Sequence, residues 1–250
     1  MTKEIIGYYI KDKHKLLRSF DQIAALMTES LIAQYGEQFA GDLVGEIRQE
    51  YERLIPQIPY IKGGYRTRAL GAFVVVTAQE IAVYKAMKKF GKSPAEAWEL
   101  CHKALRLRLA KYPTWKRWLL RKIMFAPIIA KIFERRAKKN QRGRFGNFEI
   151  EYVSVANEGF DIGVNYHQCS NLAFAKKHGA EEFAPYICMS DIALSDALGW
   201  GLVRTQTLAD GCRYCDFRFK QGATTQISSK TLEVQETIDR IREKERLCVK

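Results

Sequence analysis

At 250 residues, with 47% hydrophobic and 28% charged, the chain can bury one large or two modest cores, which excludes a disordered chain. Its longest unbroken apolar run, 123–130, falls far short of the roughly 20 residues a membrane-crossing helix needs, and charges interrupt the N-terminal MTKEIIGYYIKDK before a signal-peptide core can form, so a cytoplasmic protein is expected. The formal charge of +13 raises the question of an anionic partner, and six cysteines are too dilute for a disulfide scaffold.

Between residues 11 and 55, Leu16, Phe20, Ile23, Leu26, Met27, Leu31, Phe39, Leu43 and Ile47 recur mostly at three-to-four spacing, which predicts two helices broken at Gly36. Pro56 and Pro59 end the second helix, and Gly63 with Gly64 predicts a turn before a helical run over 66–90. Gly91 stands where a C-terminal cap belongs. Ser93, Pro94 and Glu96 then read as a capping-box start, because the hydroxyl and carboxylate satisfy backbone N–H groups while Pro has none to satisfy. A fourth helix follows to about Ala110.

Over 103–144 fifteen Lys and Arg face the single acid Glu134, so this segment carries +14 and the rest of the chain sums to −1. Trp115, Trp118, Leu119, Met124, Phe125, Ile128, Ile132 and Phe133 are interleaved with its basic clusters, and Pro127 predicts a kink or break between a fifth and a sixth helix. Tryptophans and cations around an apolar stripe suit an anionic membrane surface, which would place the protein peripherally at the inner membrane surface. A helix packed on its domain with a solvated basic face accounts for the same pattern. No specific nucleic-acid partner is expected, since no helix-turn-helix, zinc-finger or RNA-binding signature accompanies the charge.

The composition changes at NQRGRFGN (140–147), and a domain boundary is expected there, between a helical region (1–140, including the basic amphipathic segment) and an α+β domain (147–250). FEIEYVSV (148–155) and FDIGVNYHQC (160–169) alternate like strands joined through Asn157 and Gly159. Two short helices are expected across 170–198. GLVRTQTLA (201–209) and YCDFRFKQ (214–221) then form a second hairpin around Asp210 and Gly211, and Leu232, Ile238 and Ile241 mark a final amphipathic helix over 231–247. The expected fold is α+β: an N-terminal helical region, a mainly antiparallel four-stranded sheet in the order strand-strand-helix-helix-strand-strand, and a C-terminal helix.

Cys169, Cys188, Cys212 and Cys215 all fall in the second half, and His167 precedes the first by two residues. On a strand His167 and Cys169 point to one face, so a thiolate–imidazole pair is one candidate. Cys188 and Asp191, spaced i, i+3, share one face of an expected helix, with Ser195 a turn further on; if Cys188 begins that helix, its field lowers the thiol pKa. Core packing competes with each role. Cys215 shares a strand face with Phe217 and Phe219, while Asp216 and Arg218 occupy the other face, where a surface ion pair would explain them. Arg204, in line with Leu202, Gln206 and Leu208, would need a carboxylate if it points inward, supplied by substrate or by the protein itself. His14, His102 and His178 read as structural or solvated. No cofactor is expected; the alternative is zinc or another divalent metal on Cys212 and Cys215, with Cys169, Cys188 or His167 as further ligands. There is no GxSxG, P-loop, GxGxxG or HExxH motif.

The stretch from Cys169 to CDFRF at 215–219 resembles the L-2-amino-thiazoline-4-carboxylic acid hydrolase family. The resemblance lies in Cys169, a helix ending at His178 and Gly179, Cys188 with Asp191, Arg204 with Thr205, and Gly211 ahead of CDFRF. GKSPAEAWEL (91–100) is similar to the family's helical half. The resemblance implies hydrolytic opening of a small cyclic isothiourea or amidine bearing a carboxylate, giving an N-carbamoyl-cysteine. Such chemistry needs water or a thiolate to add to the amidine-like carbon, a proton for the leaving sulfur and a cation for the carboxylate. Under this reading Cys188 is the candidate nucleophile, Asp191 binds the amidinium or moves protons, and Arg204 grips the carboxylate with Thr205 and Asp216 nearby. Cys169 and His167 are alternatives for nucleophile and acid, and Cys215 supports the site. A non-catalytic small-molecule or metal-binding sensor, and a membrane- or partner-binding protein using the basic helix, are the competing classes.

Overall fold

Helices form where the apolar spacing expects them, and they break where glycine and proline do. In the computed structural model, which describes residues 5–61, 67–156 and 159–247, α1 (Lys13–Tyr35) and α2 (Glu37–Leu54) meet at Gly36, whose φ of 87° lies in the region that favours glycine. The expected turns at Gly63 with Gly64 and at Asn157 lie outside the described residues. α3 (Arg68–Lys89) ends with the Lys92 N–H bonded back to the Met87 carbonyl around Gly91, and α4 (Pro94–Ala110) opens on the capping box. Ser93 N donates to Glu96 Oε2 at 2.8 Å, and Glu96 N donates to Ser93 Oγ at 3.2 Å.

The chain divides into two compact units, each assembled from separated stretches. The first takes 1–108, 145–147 and 170–187, and α3 is its central helix. Every residue of α3 from 77 to 84 is buried, including Gln79 and Glu80. This 22-residue helix is long and apolar enough to cross a membrane by length and composition alone, although polar residues interrupt its apolar runs. Its burial among other helices is that of a core helix.

The second unit takes 109–144, 148–169 and 188–250. It contains α5 (Thr114–Met124) and α6 (Pro127–Lys138), separated at Pro127 as expected, and most of a six-stranded sheet. The strands are β1 (Arg142–Phe145), β2 (Phe148–Val153), β3 (Ile162–Gln168), β4 (Leu202–Arg204), β5 (Cys215–Phe219) and β6 (Gln226–Ile227), in the order β1-β2-β3-β5-β4-β6. Both expected hairpins pair antiparallel, and β3 joins them by pairing with β5. The sheet is mixed and has six strands where four are expected, because β6 runs parallel to β4 and β1 lies at the opposite edge. Neither added strand has the alternation that marks a half-buried strand: β6 is two residues long, and β1 is the basic RGRF.

Three helices, α7 (Ser170–Lys177), α8 (Ala184–Met189) and α9 (Asp191–Leu198), replace the two expected between the hairpins. The last helix, α10 (Leu232–Leu247), buries Val234, Thr237, Ile238 and Ile241. Strand register determines which side chains meet. Ile150 opposes Tyr166, Tyr166 opposes Cys215, and Leu202 opposes Phe219, so Tyr166, Cys215, Phe217, Leu202 and Arg204 share one face. Glu151, Asn165, Asp216 and Arg218 share the other.

Candidate active site

Arg204 is the centre of the first of these faces. Its side chain is 1% exposed, and the third residue of so short a strand reaches that depth only because the protein supplies its partners. Nη1 donates to Asp191 Oδ2 at 2.5 Å, and Nη2 donates to the Cys188 carbonyl at 2.8 Å. The guanidinium also lies 5.1 Å from the centre of the Phe217 ring, and its Nε is buried without a hydrogen-bond partner. The carboxylate foreseen for an inward Arg204 is therefore internal.

Asp191 begins α9, and its side chain keeps partial contact with solvent. Burial raises its carboxyl pKa and outweighs the opposing pull of Arg204, while Asp191 holds Arg204 more firmly charged. Cys188 and Cys215 act electrostatically on Arg204, and Asp191 acts in the same way on the Tyr166 phenol. Burial is the main cause that raises the Tyr166 pKa, and the charges of Asp191, Cys169 and Cys215 add to it. Cys215 is buried, its thiol is pushed up to about 12 by burial, and its Sγ accepts the Leu208 N–H at 3.2 Å.

Cys188 does not begin its helix. It is the fifth residue of the six in α8, where the helix field opposes a thiolate, and burial raises its pKa further despite Arg204. The condition for an acidified thiol is not met. Ser195, a turn beyond Asp191, is fully buried and ties the sheet together: its Oγ accepts from Leu202 N at 3.0 Å and from Thr225 Oγ1 at 2.8 Å.

His167 does not follow the simple alternation that would pair it with Cys169. The register slips between Glu149 and Ile150 so that β3 carries one extra residue, His167, and β3 ends at Gln168 before Cys169. His167 Nε2 lies 2.7 Å from Glu151 Oε2, and its ring lies 5.7 Å from that of Tyr214. Asn165 and His167 together hold the Glu151 carboxyl below its usual range. Cys169 instead bears on Tyr166 and Cys215.

Thr205 and Asp216 hold each other. Asp216 accepts from Thr205 N at 3.0 Å, Thr205 Oγ1 at 2.7 Å and Gln206 N at 2.9 Å, which fixes the chain as it leaves β4. Cys212 lies in the turn after Gly211, partly exposed. Among the described residues no three His, Cys, Asp or Glu side chains are placed to hold one metal ion. Reading the residues alone misses Tyr166 and Phe217. The signal for both is their register opposite or beside Cys215 and Arg204, which pairing creates and composition does not.

The site thus joins a partly exposed carboxylate, its pKa raised by burial, to a buried guanidinium, with the Tyr166 phenol and the Cys188 and Cys215 thiols nearby. Residues 72–219 match the family model of the L-2-amino-thiazoline-4-carboxylic acid hydrolases, and the chain belongs to that family. The match begins within α3 and ends at the last residue of β5, so it includes Asp191, Arg204 and the cysteines around them. No curated protein and no solved structure matches the chain.

Proposed function

We propose that this protein is a hydrolase that opens a small cyclic isothiourea or amidine carrying a carboxylate, of the 2-amino-thiazoline-4-carboxylate class, with Asp191 as the proton carrier. The observation that carries the reading is the 2.5 Å contact between Asp191 and the fully buried Arg204, in a carboxyl whose pKa is raised by burial. A raised carboxyl is better matched to proton transfer near neutrality than an ordinary one. In the reaction, a water oxygen bonds to the amidine carbon and gives its proton to Asp191. The carbon–sulfur bond then breaks, the same proton passes to the departing sulfur and the water's second proton ends on the amidine nitrogen, leaving a free thiol and a carbamoyl group. Arg204 acts as a positioning residue, because both of its terminal nitrogens are engaged by Asp191 and the Cys188 carbonyl.

Direct attack by water is favoured over attack by Cys188 or Cys215, since burial raises both thiol pKa values. The test is turnover of 2-amino-thiazoline-4-carboxylate, followed by chromatography of the carbamoyl product, with intact-protein mass spectrometry of the trapped enzyme. Asp191→Asn should lose about 100-fold or more of the rate while staying folded, within the range general acid–base groups contribute. Cys188→Ser should retain activity within about tenfold, and no covalent adduct should accumulate. Full activity in Asp191→Asn removes Asp191 from the chemistry. An adduct on Cys188 that disappears in Cys188→Ser replaces water attack with the thiol route.

A further inference from the structure

The two helices of the basic segment leave much of their apolar surface exposed. A helix on a folded domain normally faces apolar side chains inward and charges outward. In α5 no residue is buried, and Trp115, Trp118, Leu119 and Ile123 face solvent at 66%, 51%, 42% and 55% exposure. Toward the protein α5 turns Leu120 and Met124 together with Arg117 and Arg121, whose Nε atoms are both shielded from water. The Arg121 guanidinium lies over Gly199 at the C-terminal end of α9, a place where the helix field favours a cation; a Cβ there would come within 2.9 Å of Arg121 Nη1.

α6 extends the pattern. It faces β2 with Phe133 against the Tyr152 ring and Arg136 on the Tyr152 hydroxyl, and it leaves Ile128 and Ile132 exposed. Six of the thirteen large apolar side chains exposed among the described residues thus belong to α5 and α6. Lys116, Lys122, Lys131 and Arg135, all exposed, stand beside them. Glu134, the segment's one acid, is engaged by Ser154 and the Val155 N–H, so it does little to offset the positive field outside.

We propose that α5 and α6 dock this protein onto an anionic lipid bilayer. The tryptophans and isoleucines enter the boundary between headgroups and acyl chains, and the surrounding lysines and arginines meet the anionic headgroups. Charge complementarity alone would also admit a nucleic acid, but a phosphate backbone offers nothing to Leu119, Ile123 and Ile128, whereas a bilayer buries them. The proposal is independent of the hydrolase reading, and its test does not use activity.

The full chain is sedimented with large vesicles of phosphatidylcholine, with or without about 30% phosphatidylglycerol, in about 0.05 and 0.5 M salt. Binding to the anionic vesicles should be at least about tenfold stronger than to the neutral ones and should fall in high salt. Lys116→Glu with Lys122→Glu should weaken it about tenfold or more, and Trp115→Ser with Trp118→Ser by a similar factor, with unchanged circular dichroism in each case. These positions are exposed, so the fold is expected to tolerate the changes. Equal binding to both vesicles, or undiminished binding of the tryptophan variant, overturns the proposal. So does tighter binding to a random duplex DNA at the same salt, which would assign the surface to nucleic acid. Self-association on light scattering without vesicle binding would assign it to a second copy.

Discussion

Removing the carboxylate at Asp191 should destabilise the protein in proportion to what it leaves behind in Arg204. The guanidinium is 1% exposed, and without Asp191 its charge retains only the Cys188 carbonyl, the Met189 sulfur at 3.8 Å and the Phe217 ring. Breaking a buried ion pair from one side costs about 3–5 kcal/mol, against a total stability of roughly 5–15 kcal/mol. At about 2–4 °C per kcal/mol for a chain of this size, Asp191→Ala should melt about 6–20 °C lower. Asp191→Asn keeps an amide oxygen for Nη1 and should lose less. The double variant Asp191→Leu with Arg204→Met, which removes both charges into an apolar pair beside Phe217, should recover most of the loss. Urea unfolding by circular dichroism, with the two single variants and the double compared as a cycle, measures each term. If Asp191→Ala melts within about 1 kcal/mol of the parent, or if the double variant is no better than the single, an uncompensated buried charge is not the cause.

Two other positions give outcomes of a different kind. Gly201 has a φ of 55°, and a Cβ there would lie 2.1 Å from the Lys220 carbonyl oxygen and 2.9 Å from the Ala223 carbonyl oxygen. Gly201→Ala should therefore cost about 2–4 kcal/mol in a urea melt, and a loss below about 0.5 kcal/mol would show that the backbone there yields easily. Asp210 accepts hydrogen bonds from Thr207, Ser229 and Thr231; burial raises its pKa, but these donors outweigh burial and hold it below the usual carboxylate range. A depressed folded pKa contributes stability above the unfolded value that is lost as pH falls through the folded one, so the benefit is present at neutral pH and fades in acid. Asp210→Asn should accordingly be least stable relative to the parent at neutral pH and approach it in acid; a gap that stays constant with pH would remove the charge from the account.

Much of the fold was legible because its signals are local. Gly36, Gly91 and Pro127 each interrupt a helix for reasons of backbone geometry that need no neighbour, and the Ser93–Glu96 box satisfies its own N–H groups. The two hairpins were legible from alternation. What local pattern could not supply is the pairing between them. β3 and β5 are neighbours in the sheet although some fifty residues separate them, and that pairing brings Tyr166 to Cys215 and places Phe217 beside Arg204. β6, held by a two-residue parallel ladder, exists only because β4 offers it an edge.

Residue types and spacing reach the neighbours of Arg204 but not the acidity of the thiols, and Cys188 shows why. Residue types and spacing identify Cys188, Asp191 and Arg204 as candidates, but the acidity of a thiol is set by two quantities that sequence does not carry, its position along a helix and its depth. Moving Cys188 from the first turn of a helix to the last reverses the sign of the helix field, and desolvation then works in the same direction. In the proposed mechanism burial has the opposite consequence for Asp191: what disfavours a thiolate brings a carboxyl toward the range where it can exchange protons, provided a cation prevents it from being merely neutral. Arg204 is that cation. Its burial on β4, which in the sequence reads equally as substrate grip or internal pair, is why the proposed mechanism gives the proton to the carboxylate and no attack to Cys188.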